Sequence, residues 1–198
     1  MSDEAKPSRT GGNKPSRTGE NLMPGDPSPR QLLERIIRVD QAGEYGAVRI
    51  YQGQRAVLGK RPGLGALLKH MLEQEQHHLN TFNQLAATRR VRPTALQPLW
   101  HLAGFALGAG TALLGEKAAM ACTVAVEEVI DEHYAQQREV LGEDEADLKA
   151  TVEQFRAEEV EHRDIGLAHG AEQTPGYALL SAAIKTGSRL AIWLSERI

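Results

Sequence analysis

Two short phrases pair a carboxylate with an imidazole at one spacing, Glu75-Gln-His-His78 and Glu159-Val-Glu-His162. Residues three apart on a helix share a face, so each phrase, if helical, aims both groups the same way. One such unit arises easily in a Glu-rich chain. Here a further glutamate precedes each: Glu44 lies 31 residues before Glu75, and Glu127 lies 32 before Glu159. The chain therefore offers, twice over, one Glu on a first helix and E-x-x-H on the next. Four carboxylates and two imidazoles converging from four helices are a ligand set for two metal ions bridged by carboxylates. Oxygen-rich ligation with two imidazoles suits iron or manganese better than copper. Iron is the expected ion because it binds and reduces dioxygen, and a purely structural metal would not need a pair. Glu44 and Glu127 are expected as terminal ligands, Glu75 and Glu159 as bridges, and His78 and His162 as one imidazole per ion.

Ligating imidazoles need a partner on the other ring nitrogen. Asp40, four residues before Glu44, and Asp131, four after Glu127, share a face with their glutamates and are the expected partners of His78 or His162. His133 and Tyr134 stand where either pocket or surface is allowed. Glu128, Glu158 and Glu161 flank the ligands in the wrong helical phase and are expected outside the ligand set. His77 points away from His78, and His70, His101 and His169 have no partner at helical spacing.

These groups need helices to hold them. Ala, Leu, Glu, Gln and Arg dominate after residue 30, and aromatic residues make up only 5% of the chain, a helical composition. A first helix is expected over Ser28 to Leu58, capped by Ser28 with Pro29 at its first position. Gly43 and Gly46 inside it imply the close approach of another helix or a ligand. A turn at Lys60-Arg-Pro-Gly63 precedes a second helix to about Thr88, whose seam reads Leu64, Leu67, Met71, Glu75, His78, Phe82, Leu85. Polar residues at seam positions are costly unless paired or metal-bound. Arg89 to Pro98 reads as a linker. The uncharged stretch from Leu102 to Gly115 is too short to span a bilayer. It leads into a third bundle helix through Glu127 to about Leu141. A fourth runs to about Gly170, and a last, amphipathic helix covers Tyr177 to Ser195. The expected fold is all-α, a ferritin-like four-helix bundle with additional apolar and amphipathic helices, over residues 30–198. Residues 1–29 are rich in Gly, Pro, Ser and charge, repeat the phrase Lys-Pro-Ser-Arg-Thr-Gly, and read as a disordered tail.

A formal net charge of -3 gives no case for nucleic acid. The single Cys122 excludes a disulfide scaffold and a CxxC metal knuckle. The N-terminus has no apolar core of a secretory signal and does not look like an acid-poor, Arg-rich transit peptide, which favours a bacterial protein. No G-x-G-x-x-G follows a strand, so neither a Rossmann domain nor a bound flavin is expected.

At these residues the chain resembles the demethoxyubiquinone hydroxylase family of ubiquinone biosynthesis. The phrases are Val39-Asp-Gln-Ala-Gly-Glu-Tyr-Gly46, Glu75-Gln-His-His78, Ala121-Cys-Thr-Val-Ala-Val-Glu-Glu128 and Phe155-Arg-Ala-Glu-Glu-Val-Glu-His-Arg-Asp-Ile-Gly166, with the ending Ala191-Ile-Trp-Leu-Ser-Glu-Arg-Ile198. The likeness runs from about Leu32 to Ile198 and keeps the whole ligand pattern. His133-Tyr134 also resembles a family pair near the active site. The resemblance implies a diiron, dioxygen-dependent monooxygenase that hydroxylates the ring of a prenylated demethoxyubiquinol, the penultimate step of ubiquinone assembly. NADH would serve as electron donor without a Rossmann site.

A prenyl tail must leave into a membrane, which implies peripheral attachment at the cytoplasmic face of a bacterial inner membrane. Leu102 to Gly115 and the last helix are the candidates for contact, with Lys185 and Arg189 facing anionic headgroups. Family members often work with a lipid-presenting accessory protein. Gly104 and Gly108 form a small-xxx-small pair that allows a partner helix or homodimer.

A ferritin-like iron oxidase or store uses the same ligands and is the alternative. It differs by accumulating mineral without organic product. A rubrerythrin-like peroxidase pairs such a bundle with a Cys-rich electron-transfer domain, absent here. A purely structural bundle leaves the polar seam residues unexplained.

Overall fold

The computed structural model describes residues 25–198, all of whose regular structure is helical. Most of the expected tail lies outside the described residues. Helix α1 spans Pro29–Leu58, α2 Leu64–Arg89, α3 Gln97–Leu113, α4 Glu116–Val140, α5 Ala146–Ala168 and α6 Tyr177–Ser195. The start of α1 follows its sequence. The Ser28 side chain accepts from Gln31 N, the Gln31 side chain accepts from Ser28 N, and Pro29 fills the first turn.

The four helices bearing the E and E-x-x-H residues are α1, α2, α4 and α5. Helix α1 packs on α2, and α4 on α5. The two remaining helices complete the repeat: α3 lies along α1, and α6 along α4. The duplicated unit is therefore three helices, not two.

Two boundaries differ from the sequence reading. Helix α3 begins inside the expected linker, because Pro98 sits in its first turn, where a missing N–H costs nothing. The apolar stretch does not run on into the third bundle helix. The chain breaks at Leu114 and Gly115, and Gly115 has φ +115°, a left-handed conformation that favours glycine. The break lets α3 leave the bundle and lie on its outside.

The seam of α2 is set by Leu64, Leu68, Met71, Glu75, His78, Leu79, Phe82 and Ala86, all buried. Leu68 replaces the expected Leu67, which is only partly buried.

Helices α1 and α3 approach more closely than side chains allow. A Cβ on Gly108 would collide with the Ile50 carbonyl, and one on Gly104 would stand 2.9 Å from Gly46 O. The small-xxx-small pair is thus used within the chain, and its partner helix is α1. It gives no support to a homodimer.

Candidate metal centre

All six expected ligands meet in the middle of the bundle. Glu44 is 3% exposed, Glu127 2%, Glu159 1%, and Glu75, His78 and His162 are fully buried. They form two overlapping groups, Glu44-Glu75-His78-Glu159 and Glu75-Glu127-Glu159-His162. Within each group the ligand atoms lie within 4.8 Å of one another. Glu75 and Glu159 belong to both.

The imidazoles turn Nδ1 inward. His78 Nδ1 lies 3.1 Å from Glu159 Oε1 and 3.5 Å from Glu44 Oε2. His162 Nδ1 lies 3.0 Å from Glu75 Oε1 and 3.2 Å from Glu159 Oε2. Each Nε2–H is tied from behind, His78 to Glu158 Oε2 at 2.7 Å and His162 to Gln74 Oε1 at 3.0 Å. This fixes the tautomer that leaves Nδ1 as a donor atom. The His78 ring also stacks on Phe155, centroids 3.9 Å apart.

The expected orienting groups do not reach these rings. Asp131 accepts from Arg156 at 2.6 Å, and Asp40 accepts from Gln137 Nε2 at 2.6 Å. Asp40 and Asp131 share a helix face with their glutamates, but α2 and α5 present His78 and His162 to each other's helix instead. Glu158, expected outside the ligand set, lies outside it and has the orienting role that Asp40 and Asp131 lack. Gln74 was not singled out by the sequence. Both stand one residue before the Glu of an E-x-x-H unit and serve the histidine of the other unit.

Tyr134 lies in the site: its hydroxyl donates to Glu44 Oε1. His133 does not reach the ligands. Its Nε2 accepts from Gln137 Nε2 at 2.8 Å and lies 3.5 Å from Asp40. Tyr51 donates its hydroxyl to Glu127 Oε1 at 3.0 Å. Tyr51 follows Glu44 by seven residues, and Tyr134 follows Glu127 by seven. Each tyrosine therefore serves the other half's glutamate, a spacing the sequence displays. Among the remaining histidines, His101 bonds Tyr45 at 2.6 Å and His169 lies 3.2 Å from Glu116. Both contacts join different helices, beyond the reach of spacing rules.

Four carboxylates in one buried volume cannot all ionise unaided. Burial lifts the Glu44, Glu75 and Glu127 carboxyls, and the Glu159 charge lifts them further. Burial raises Glu159 as well, but the adjacent His162 and His78 imidazoles outweigh it and depress its carboxyl to about 2. Burial likewise disfavours charge on His78, but Glu159 and Glu44 hold it to about 12. Both Glu75 oxygens and Glu159 Oε2 are buried without a hydrogen-bond partner. Such orphaned carboxyl oxygens beside two inward-facing imidazole nitrogens fit two divalent cations, whose four positive charges would balance the four carboxylates.

Beside the centre, α3 and α6 form the walls of an apolar cavity of about 550 Å³. Its floor is α1 and α4, including Gly43 next to Glu44 and Val126 next to Glu127. Two of its lining residues are joined: Trp100 Nε1 donates to Ser195 Oγ at 3.0 Å. Gly46, on the cavity floor, would place a Cβ in open space.

The chain matches the family model described as ubiquinone biosynthesis protein COQ7 over residues 31–195. It is 65% identical over 182 residues to the 3-demethoxyubiquinol 3-hydroxylase of Rhodospirillum rubrum, covering 92% of this chain and 86% of that one. It is 56% identical over 173 residues to the mitochondrial NADPH-dependent 3-demethoxyubiquinone 3-hydroxylase of Homo sapiens, covering 85% and 79%. The mitochondrial 5-demethoxyubiquinone hydroxylase of Saccharomyces cerevisiae is 48% identical over 183 residues, covering 84% and 78%. The chain belongs to the COQ7 family of ferritin-like diiron proteins.

Proposed function

We propose that this chain hydroxylates the ring of a prenylated demethoxyubiquinol, using dioxygen and two irons, in the penultimate step of ubiquinone biosynthesis. The carrying observation is the pair of ligand groups that share Glu75 and Glu159. Glu75 and Glu159, common to both groups, would be shared by the two irons. Glu44 and His78 complete one site, and Glu127 and His162 the other. The irons would supply binding and reductive activation of dioxygen.

The chain's own groups prepare that chemistry. Tyr51 and Tyr134 hold one oxygen of each terminal glutamate, leaving the other free to ligate. Burial makes both phenols poor acids, so each remains a hydrogen-bond donor near neutral pH. Phe155 covers His78, and the apolar packing keeps bulk water from the ligands.

The cavity between α3 and α6 suits the apolar prenyl chain. Its walls carry exposed Leu99, Leu102, Leu179, Leu190 and Trp193. These residues fit peripheral contact with a membrane, at the cytoplasmic face of a bacterial inner membrane in this reading. No described helix is long and apolar enough to cross one. Lys185 pairs with Glu128, and Arg189 with Glu132 at 2.8 Å. Apolar residues, rather than these two cations, therefore carry the contact. A reduced nicotinamide, NADH in this reading, supplies the electrons; the human relative is an NADPH-dependent hydroxylase. A lipid-presenting accessory protein would deliver the quinol to the same mouth.

The test is metal analysis joined to turnover. Iron-loaded protein should hold two irons per chain and convert demethoxyubiquinol only with oxygen and a reductant. Glu75→Ala and His162→Ala should each lose bound iron and reduce turnover by at least about 100-fold. Iron oxidation into mineral, with no organic product, would favour the storage alternative.

A further inference from the structure

The two halves of the centre repeat each other closely but differ behind the imidazoles. His78 donates Nε2–H to a carboxylate, Glu158, at 2.7 Å. His162 donates Nε2–H to an amide, Gln74, at 3.0 Å. The two acceptors occupy equivalent positions, each directly before the Glu of an E-x-x-H unit. Glu158 is further fixed by Gln154 Nε2, which donates to its other oxygen at 3.0 Å.

We infer that the two metal sites are built unequal: Glu158 makes His78 the stronger donor, so the Glu44–His78 site binds its ion more tightly than the Glu127–His162 site, which Gln74 leaves weaker. The inference rests on the dinuclear reading above. A carboxylate accepting the distal N–H pushes electron density onto the ring and raises the basicity of Nδ1. A neutral amide orients the ring equally well but adds no charge. Both histidines are thus held in the same tautomer, and only one receives the electrostatic gain. Glu158 and Gln74 touch no ligand position themselves and act only through the imidazoles, as positioning residues.

A consequence is ordered loading. The Glu44–His78 site fills first, and the second ion joins a pair whose bridges are already set. Repulsion between two cations separates the steps in any dinuclear centre, so the informative quantity is the change produced by exchanging the two acceptors.

The experiment titrates metal-free full-length protein with cobalt(II) under anaerobic conditions, reading the visible bands of the bound ion. Glu158→Gln should weaken the first step by about tenfold or more. Gln74→Glu should tighten the second step by a similar factor, which a damaged fold would not do. A first step unchanged within about twofold in Glu158→Gln, or a second step unchanged in Gln74→Glu, would overturn the inference while leaving the dinuclear reading intact. Failure of the unaltered protein to bind cobalt would overturn both.

Discussion

A tyrosine seven residues beyond each terminal glutamate, bonded to the glutamate of the opposite half, is a residue-scale feature of this centre. Tyr134→Phe removes the donor from Glu44 but keeps the ring. It should retain two irons per chain, while turnover falls by about tenfold or more. Iron analysis beside initial rates checks this. Cys122 sits fully buried, and burial pushes its thiol up to about 12. It should resist alkylation at neutral pH until the chain is unfolded, as mass spectrometry would reveal. The ligand groups also set a pH dependence. Glu44, Glu75, Glu127, His78 and His162 all have raised values, so the folded metal-free chain binds more protons than the unfolded one. Its stability should fall as pH rises above the ordinary Glu value of 4.5, and the His78 share is lost between 6.5 and about 12. Bound metal, which displaces those protons, should reverse the trend. Thermal unfolding with and without chelator measures both slopes. The meeting of the six expected ligand residues was legible because two spacings coincide. Glu158 and Gln74 were not, because their contacts cross between α2 and α5, and the phase of a residue on its own helix says nothing of which neighbour it meets.

At the scale of elements, the helices themselves were readable from caps, prolines and the polar interruption of apolar seams. Their mutual placement was less so. The uncharged stretch around Leu102 fits a bundle helix as well as an added one, and only the left-handed backbone at Gly115 diverts it. Nor does a small-xxx-small pair name its partner. Gly104 meets the Gly46 carbonyl and Gly108 the Ile50 carbonyl, and Gly53 on α1 leaves room for the α3 backbone at Phe105 and Ala109. Gly108→Ala would press a methyl group into the Ile50 carbonyl, where only backbone can yield. It should destabilise the fold by about 1–3 kcal/mol, seen as a lower urea midpoint. Gly46→Ala should be milder, because its Cβ meets nothing within 4 Å.

For the molecule as a whole, two three-helix units place one metal centre at their junction and an apolar cavity on one side. The unit pairing was half visible in sequence, as the repeated ligand spacing. Its third helix was hidden because α3 and α6 share no ligand motif. The exposed apolar side chains of α3 and α6 flank the cavity, so in the proposed function membrane contact and substrate entry would share one face. Replacing Leu102 and Trp193 together by Ser should reduce sedimentation with lipid vesicles, while two irons per chain remain bound. The proposed activity is hydroxylation of the quinol ring. Its most direct test is mass spectrometry of the quinol product formed by iron-loaded protein under labelled dioxygen. One labelled oxygen in the product ring is the expected result. An unlabelled hydroxyl group, or no product from protein holding two irons and supplied with reductant, would contradict it.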